Sequence, residues 1–169
     1  YFMSADSPYD TMVYIKTNFP QAFTKYDGLE LSFDKRFTHG WSLGGSATFS
    51  KTTSFACGDS PNDFVNAPGR DGYDVPFMMK LYGTFDLPYG FVASFFLNYR
   101  VGYPWGRSVS IVPPDDWADA NNIVPWSVWV MLEQNGSRRE QDYTNFDFHL
   151  EKEFKLPFGT IGAFVDIYN

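Results

Sequence analysis

Apolar and polar residues alternate along three stretches of this chain. In 29–37, Leu29, Leu31, Phe33 and Phe37 share one parity, and Glu30, Ser32, Asp34 and Arg36 the other. Past Thr38-His39-Gly40 the pattern resumes in 41–50. There Trp41, Leu43, Gly45, Ala47 and Phe49 oppose Ser42, Gly44, Ser46, Thr48 and Ser50. A period of two marks strands in a sheet with two unlike faces. A three-residue turn at 38–40 sets Phe37 opposite Trp41, Phe33 opposite Gly45 and Leu31 opposite Ala47, so the apolar faces coincide. A second hairpin is predicted at 77–87 and 91–101 around Pro88-Tyr89-Gly90. Its apolar face carries Met79, Leu81, Phe85, Leu87, Phe91, Ala93, Phe95, Leu97, Tyr99 and Val101. Tyr82 and Phe96 break the alternation by falling among Lys80, Thr84, Asp86, Ser94, Asn98 and Arg100. A third is predicted at 145–156 and 160–168. Its parities match only across an even-numbered turn, so Pro157-Phe158 pairs Leu150 with Val165 and His149 with Asp166.

The connections alternate in length. Short turns fall at 38–40, 88–90 and 157–158, and long polar segments rich in Pro, Asn and Asp at 52–76 and 102–144. Such segments far exceed the usual compact-domain loop of about 4–6 residues. Within them, 126–133 alternates (Trp126, Val128, Val130, Leu132) and is expected to extend a strand beyond the sheet. The stretch 11–20 is a weaker candidate for the same role.

Composition sharpens this picture. Among 169 residues there are 34 aromatics, and a soluble core of this size would struggle to bury them all. The net charge of −7 argues against tracking a nucleic-acid backbone. One cysteine, Cys57, excludes a disulfide framework within the chain and a Cys-rich zinc site. There is no run of 18 apolar residues and no signal peptide, and the chain begins at Tyr1, as expected for a processed chain or a fragment.

Short turns on one side and long loops on the other describe an antiparallel transmembrane β-barrel of the bacterial outer membrane. Strands of about 9–11 residues suffice to cross the bilayer. The expected interface aromatics are Phe37, Trp41, Tyr89, Phe91, Phe154 and Phe158, all near the short turns. The expected lumen-facing polar residues are Glu30, Asp34, Arg36, Lys80, Arg100, Asp147, His149 and Glu151. Lys35 and Lys152 share the apolar parity. Each lies two residues before a turn-proximal Phe, where a long stem can reach the headgroups. Six clear strands, or up to eight, would leave two open edges in lipid, so the chain is expected to be a slice of a larger barrel.

Several strings, in order from about 26 to 169, resemble the barrel of TonB-dependent outer-membrane receptors of the Oar-like group. They are Tyr26-Asp27-Gly28-Leu29-Glu30-Leu31-Ser32-Phe33-Asp34-Lys35-Arg36-Phe37 with Gly40-Trp41, then Thr48-Phe49-Ser50-Lys51, and Leu87-Pro88-Tyr89-Gly90 with Gly102-Tyr103-Pro104-Trp105. Asn145-Phe146-Asp147, Glu151-Lys152-Glu153-Phe154 and Asp166-Ile167-Tyr168-Asn169 complete the set. The resemblance implies the C-terminal part of a 22-stranded barrel. It implies uptake or export of a bulky substrate, and partnership with a plug domain and TonB through other parts of the parent chain, alongside outer-membrane lipid and lipopolysaccharide. The plug, the TonB box, the regulatory domain and the terminal aromatic that closes such barrels are not in this sequence.

Candidate chemistry is sparse. His149 and Asp166 can form a carboxylate–imidazole pair beside Asp147 and Glu151, but no third positioned group is evident, so a lumen polar network and no enzyme activity are expected. Asp59, Asp63, Asp71, Asp74, Asp115, Asp116 and Asp119 offer oxygen ligands without EF-hand spacing, which reads as solvated loops and no metal site. Trp105, Trp117, Trp126 and Trp129 suit sugar or peptide stacking, or loop packing. Phosphate-loop motifs are absent and no cofactor is expected. Two other readings stand beside the transporter: a soluble all-β carbohydrate-binding sandwich, and another outer-membrane barrel, adhesin or hydrolase.

Overall fold

The computed structural model describes residues 18–55, 58 and 60–169. The stretch 11–17 and Cys57 and Asp59 lie outside these residues. Twelve elements follow one another. They are β1 (Phe23–Thr38), β2 (Trp41–Phe55), β3 (Gly69–Arg70), β4 (Phe77–Leu87), β5 (Phe91–Arg100), β6 (Pro104–Trp105), β7 (Ser108–Ile111), α1 (Asp115–Ala120), β8 (Val128–Met131), β9 (Arg138–Arg139), β10 (Tyr143–Leu156) and β11 (Gly159–Ile167). They form two compact units.

The sheet unit comprises Asp27–Lys51, Val75–Tyr103 and Glu140–Asn169. Its strands run β1-β2-β4-β5-β10-β11. The β2–β4, β4–β5, β5–β10 and β10–β11 pairings are antiparallel. The predicted pairs Leu150 with Val165 and His149 with Asp166 are present, as is the Pro157-Phe158 turn. The first hairpin differs in one detail. β1 continues to Thr38, so only His39 and Gly40 lie outside the strands, both with left-handed φ (57° and 80°). Two positive φ values match the right-handed twist of the flanking strands. The apolar parity survives: Lys35 Nζ sits 3.6 Å from the Trp41 ring centroid, and Phe33 flanks Gly45.

One face of the sheet carries aromatic ladders. Trp41 stacks on Phe85 at 6.2 Å, Phe85 on Phe95 at 6.2 Å and Phe95 on Phe146 at 6.3 Å, across β2, β4, β5 and β10. Phe49, Phe77 and Tyr99 form a second band at the other end of these strands, at 4.9 and 5.8 Å. Each such pair adds about 0.5–1.5 kcal/mol beyond the area it buries. The face is not covered: Leu31, Phe33, Ile161, Val165 and Ile167 are all more than half exposed. A sandwich would bury this surface against a second sheet.

The loop unit, described by itself, comprises 18–26, Thr52–Asp74 and Pro104–Arg139. The two long connections are therefore folded, not merely polar. The stretch 126–133 does not extend the main sheet. Its strand β8 pairs with β7 as a separate two-stranded sheet, Val109 opposite Val130 and Ser110 opposite Trp129. Alternation revealed the strand but not its partner, because the partner lies in the same loop. Phe19, Phe55 and Phe64 meet edge-on at 5.6–5.9 Å, and Phe55 and Ala118 are buried.

Candidate functional site

The polar face of the sheet is built from rows of directly paired residues, which point the same way. One row is Ser42, Thr84, Ser94, His149 and Asp166. The next two are Gly44, Tyr82, Phe96 and Asp147, and Ser46, Lys80, Asn98 and Asn145. Tyr82, which broke the alternation, occupies this face because Gly44 opposite has no side chain. A Cβ there would lie 2.5 Å from the Tyr82 ring.

His149 Nδ1 and Asp166 Oδ1 are 2.5 Å apart. His149 Nε2 is 3.7 Å from Glu151 Oε2, an ionic contact too long for a hydrogen bond. Asp147 accepts from Asn145 Nδ2 at 3.1 Å. These groups border a cavity of about 310 Å³ lined by Ser94, Phe96, Asp147, His149, Asp166 and Tyr168, among others. Ser94 shares the His149 row, but its hydroxyl pairs with that of Thr84 at 3.0 Å. A nucleophile–base–orienter relay needs the hydroxyl on the imidazole, and no such bond is among those made here.

The structure thus brings Asp147, His149 and Glu151 together and leaves the other candidates apart. Arg100 lies between the rings of Tyr103 and Tyr143, at 4.2 and 5.3 Å. Lys80 is exposed beside Asn98, whose Oδ1 is buried without a partner. Glu30, Asp34 and Arg36 are exposed on β1, an outer strand of the sheet. Among the turn-proximal aromatics, Tyr89 and Phe158 are 88% and 85% exposed, so they project beyond the sheet. Phe37 and Phe154 are half exposed, and Trp41 and Phe91 are partly covered by their neighbours.

The loop unit holds a centre that sequence reasoning treated as solvated. Asp74 is fully buried. Its carboxylate accepts from the Thr52 amide at 2.5 Å, from Arg70 Nη1 at 3.3 Å and from Arg139 Nη2. Arg139 Nη1 also donates to the Asp74 carbonyl at 2.9 Å. Arg139 belongs to the second long connection, 65 residues away, so one carboxylate fastens the two connections together. Further ties run the same way: Asn66 Nδ2 to Met131 O, Gln134 Nε2 to Pro68 O and Arg70 N to Asn135 O, at 2.9–3.1 Å. Glu133 clamps Arg107 and Arg138 at 3.1 and 2.6 Å. Hydrogen bonds from Arg138 first, then Arg107, lower its pKa from 4.5 to about 2. Asp63 and Asp71 accept from the Ser60 and Tyr73 amides. Those oxygens serve the loops' own backbone. On the outside, Trp105, Trp117, Trp126 and Trp129 remain 43–63% exposed.

Comparison with known proteins adds one positive finding. A family model described as an outer membrane beta barrel domain matches residues 2–103. No curated protein and no solved structure matches the chain.

Proposed function

Since this chain belongs to the outer membrane beta barrel domain family and lies in the bacterial outer membrane, we propose that it forms wall and loops of a larger TonB-dependent receptor. The uncovered aromatic face is the lipid-facing surface, and the rows of hydroxyls, amides and carboxylates face the lumen.

The observation that carries the reading is the pair of outer strands. β1 and β11 each have one neighbour in the sheet, among the described residues. Unpaired strand edges are not tolerated in hydrocarbon, so further strands must complete the wall, as a 22-stranded barrel of the Oar-like group would provide. The bracing of the loops supports the reading too. Loops fixed by Asp74 and Glu133, with four exposed tryptophans, suit capture of a bulky ligand outside the cell. Plug movement driven through TonB would then pass it inward. In this scheme Glu30, Asp34, Arg36, Lys80, Arg100, Asp147, His149 and Glu151 set the field and hydration of the lumen and catalyse nothing. Partners are outer-membrane lipid, lipopolysaccharide, and a plug and TonB reached through the parent chain.

The test has two parts. The intact mass of the polypeptide recovered from outer membranes should be several times 19.4 kDa, and its removal should abolish growth on a bulky nutrient to the same extent as removal of TonB. A mass near 19.4 kDa, or transport indifferent to TonB, overturns the receptor reading and leaves another kind of outer-membrane barrel.

A further inference from the structure

Two lysines, Lys35 and Lys152, sit on the lipid-facing parity near the short turns, and their surroundings differ. The Lys35 ammonium is satisfied within the protein. It donates to the Thr38 carbonyl and hydroxyl at 3.1 Å each and to the Trp41 carbonyl at 2.9 Å, and it lies over the Trp41 ring. Three donors find three oxygens. The Lys152 ammonium has no hydrogen bond or ion pair among the described residues. It hangs between the rings of Phe91, at 4.7 Å, and Phe154, at 5.6 Å.

Lys152 is paired with Phe91, the first residue of β5. Its Nζ lies 3.4 Å from where a Cβ on Gly90 would stand, so it has reached the level of the Pro88-Tyr89-Gly90 turn. No carboxylate shares this face nearby. The neighbouring lipid-facing positions on β5, β10 and β11 are Phe91, Ala93, Leu150, Phe154, Ile161 and Ala163. The result is a cation held at the headgroup plane by aromatic walls, with its donors directed at nothing in the protein. Lys152 is only partly exposed, and an anion from the lipid would meet the donors that the protein leaves open.

We infer that Lys152, with Phe91 and Phe154, forms a binding site for the phosphodiester of an anionic phospholipid in the leaflet next to the short turns. Short turns of outer-membrane barrels face the periplasm, so this leaflet is the phospholipid one. Lys35, being saturated internally, holds no lipid and serves as the built-in control. The inference rests on the lipid-facing assignment of this sheet face and is independent of TonB.

The test uses the full-length protein carrying this chain, purified in detergent and titrated with phosphatidylglycerol, phosphatidylcholine or lipid A, with bound lipid counted by native mass spectrometry. Lys152→Gln should weaken phosphatidylglycerol binding about fivefold, the worth of one basic residue at an anionic surface. Lys152→Arg should restore it, and Lys35→Gln should leave it unchanged. Equal losses in Lys35→Gln and Lys152→Gln, no loss in either, or a preference for lipid A or phosphatidylcholine would overturn the site. A nitroxide at Phe148 reports separately on the face: if it is not reached by a lipid-phase quencher, the lipid-facing assignment itself has failed.

Discussion

Replacing Asp74 with alanine should unfasten the two long connections from each other while leaving the sheet intact. The carboxylate is fully buried and satisfies the Thr52 amide and two guanidinium groups. Removing one partner of a buried ion pair costs about 3–5 kcal/mol. Here the side chains of Arg70 and Arg139 keep 36% and 26% of their exposure, so both can turn to water. The Thr52 amide loses the side-chain acceptor it has in the folded loop. The lower end applies, and the opening equilibrium of the loop unit should rise about 100-fold for a loss of about 3 kcal/mol. Asp74→Asn keeps one acceptor, enough for Thr52, but loses the charge and turns the oxygen that faces Arg70 and Arg139 into an NH2 donor. It should cost about 2 kcal/mol, within the range for hydrogen bonds to charged groups. The assay is native-state proteolysis of the reconstituted protein under conditions where cleavage tracks the open population. Cuts should appear within 52–76 and 102–144 together, because Arg139 ties one to the other. A change of less than about threefold in Asp74→Ala, well below any buried-pair cost, or cuts confined to one connection, would refute the reasoning.

Three further outcomes follow from the geometry. Gly45→Ala should destabilise the sheet by about 1–3 kcal/mol through overpacking. Its Cβ would meet the Lys80 carbonyl at 2.8 Å, Leu81 at 3.0 Å and Phe33 at 3.1 Å; unaltered folding in lipid vesicles would contradict this. Phe95→Arg should cost about 2–4 kcal/mol of folding free energy in vesicles, as a charge on the lipid face near mid-strand, while Thr84→Arg on the other face should be tolerated; equal effects would show that the faces are misassigned. The Glu133 clamp should persist under acid. Its carboxyl is depressed from 4.5 to about 2, so its contribution is complete above the ordinary value and is lost as pH falls toward 2. That contribution is small and salt-sensitive because the paired arginines are exposed. A carboxyl titration with a midpoint near 4.5 would show that the clamp does not form.

The sheet was legible because period-two patterning acts on every residue of a strand whose two faces meet unlike surroundings. An even-numbered turn at 157–158 fixes the register of β10 and β11 as observed, since a slip of one residue would put Glu151 and Glu153 on the apolar face. The first turn differs only at its edge, where β1 runs on to Thr38. The loop unit was poorly legible for a different reason. Asp74 looked like any of the loop aspartates, and nothing local distinguishes it from Asp71. Its importance comes from Arg139, far along the chain, and from burial that only the folded loops create. Similarly, the alternation at 128–131 was real, but pairing with 108–111 was invisible because Ser108 and Ser110 dilute the apolar signal there.

The central claim is that this sheet is a membrane wall with lipid on its aromatic face. It is tested most directly by nitroxide labels placed one at a time along β5 from Ala93 to Asn98 in the reconstituted full-length protein, with collision rates measured against oxygen and a water-soluble relaxant. Oxygen accessibility should peak at positions 93, 95 and 97 and fall at 94, 96 and 98, with the water-soluble relaxant excluded from the odd positions. Odd positions open to the water-soluble relaxant, or accessibility without a period of two, would contradict the account.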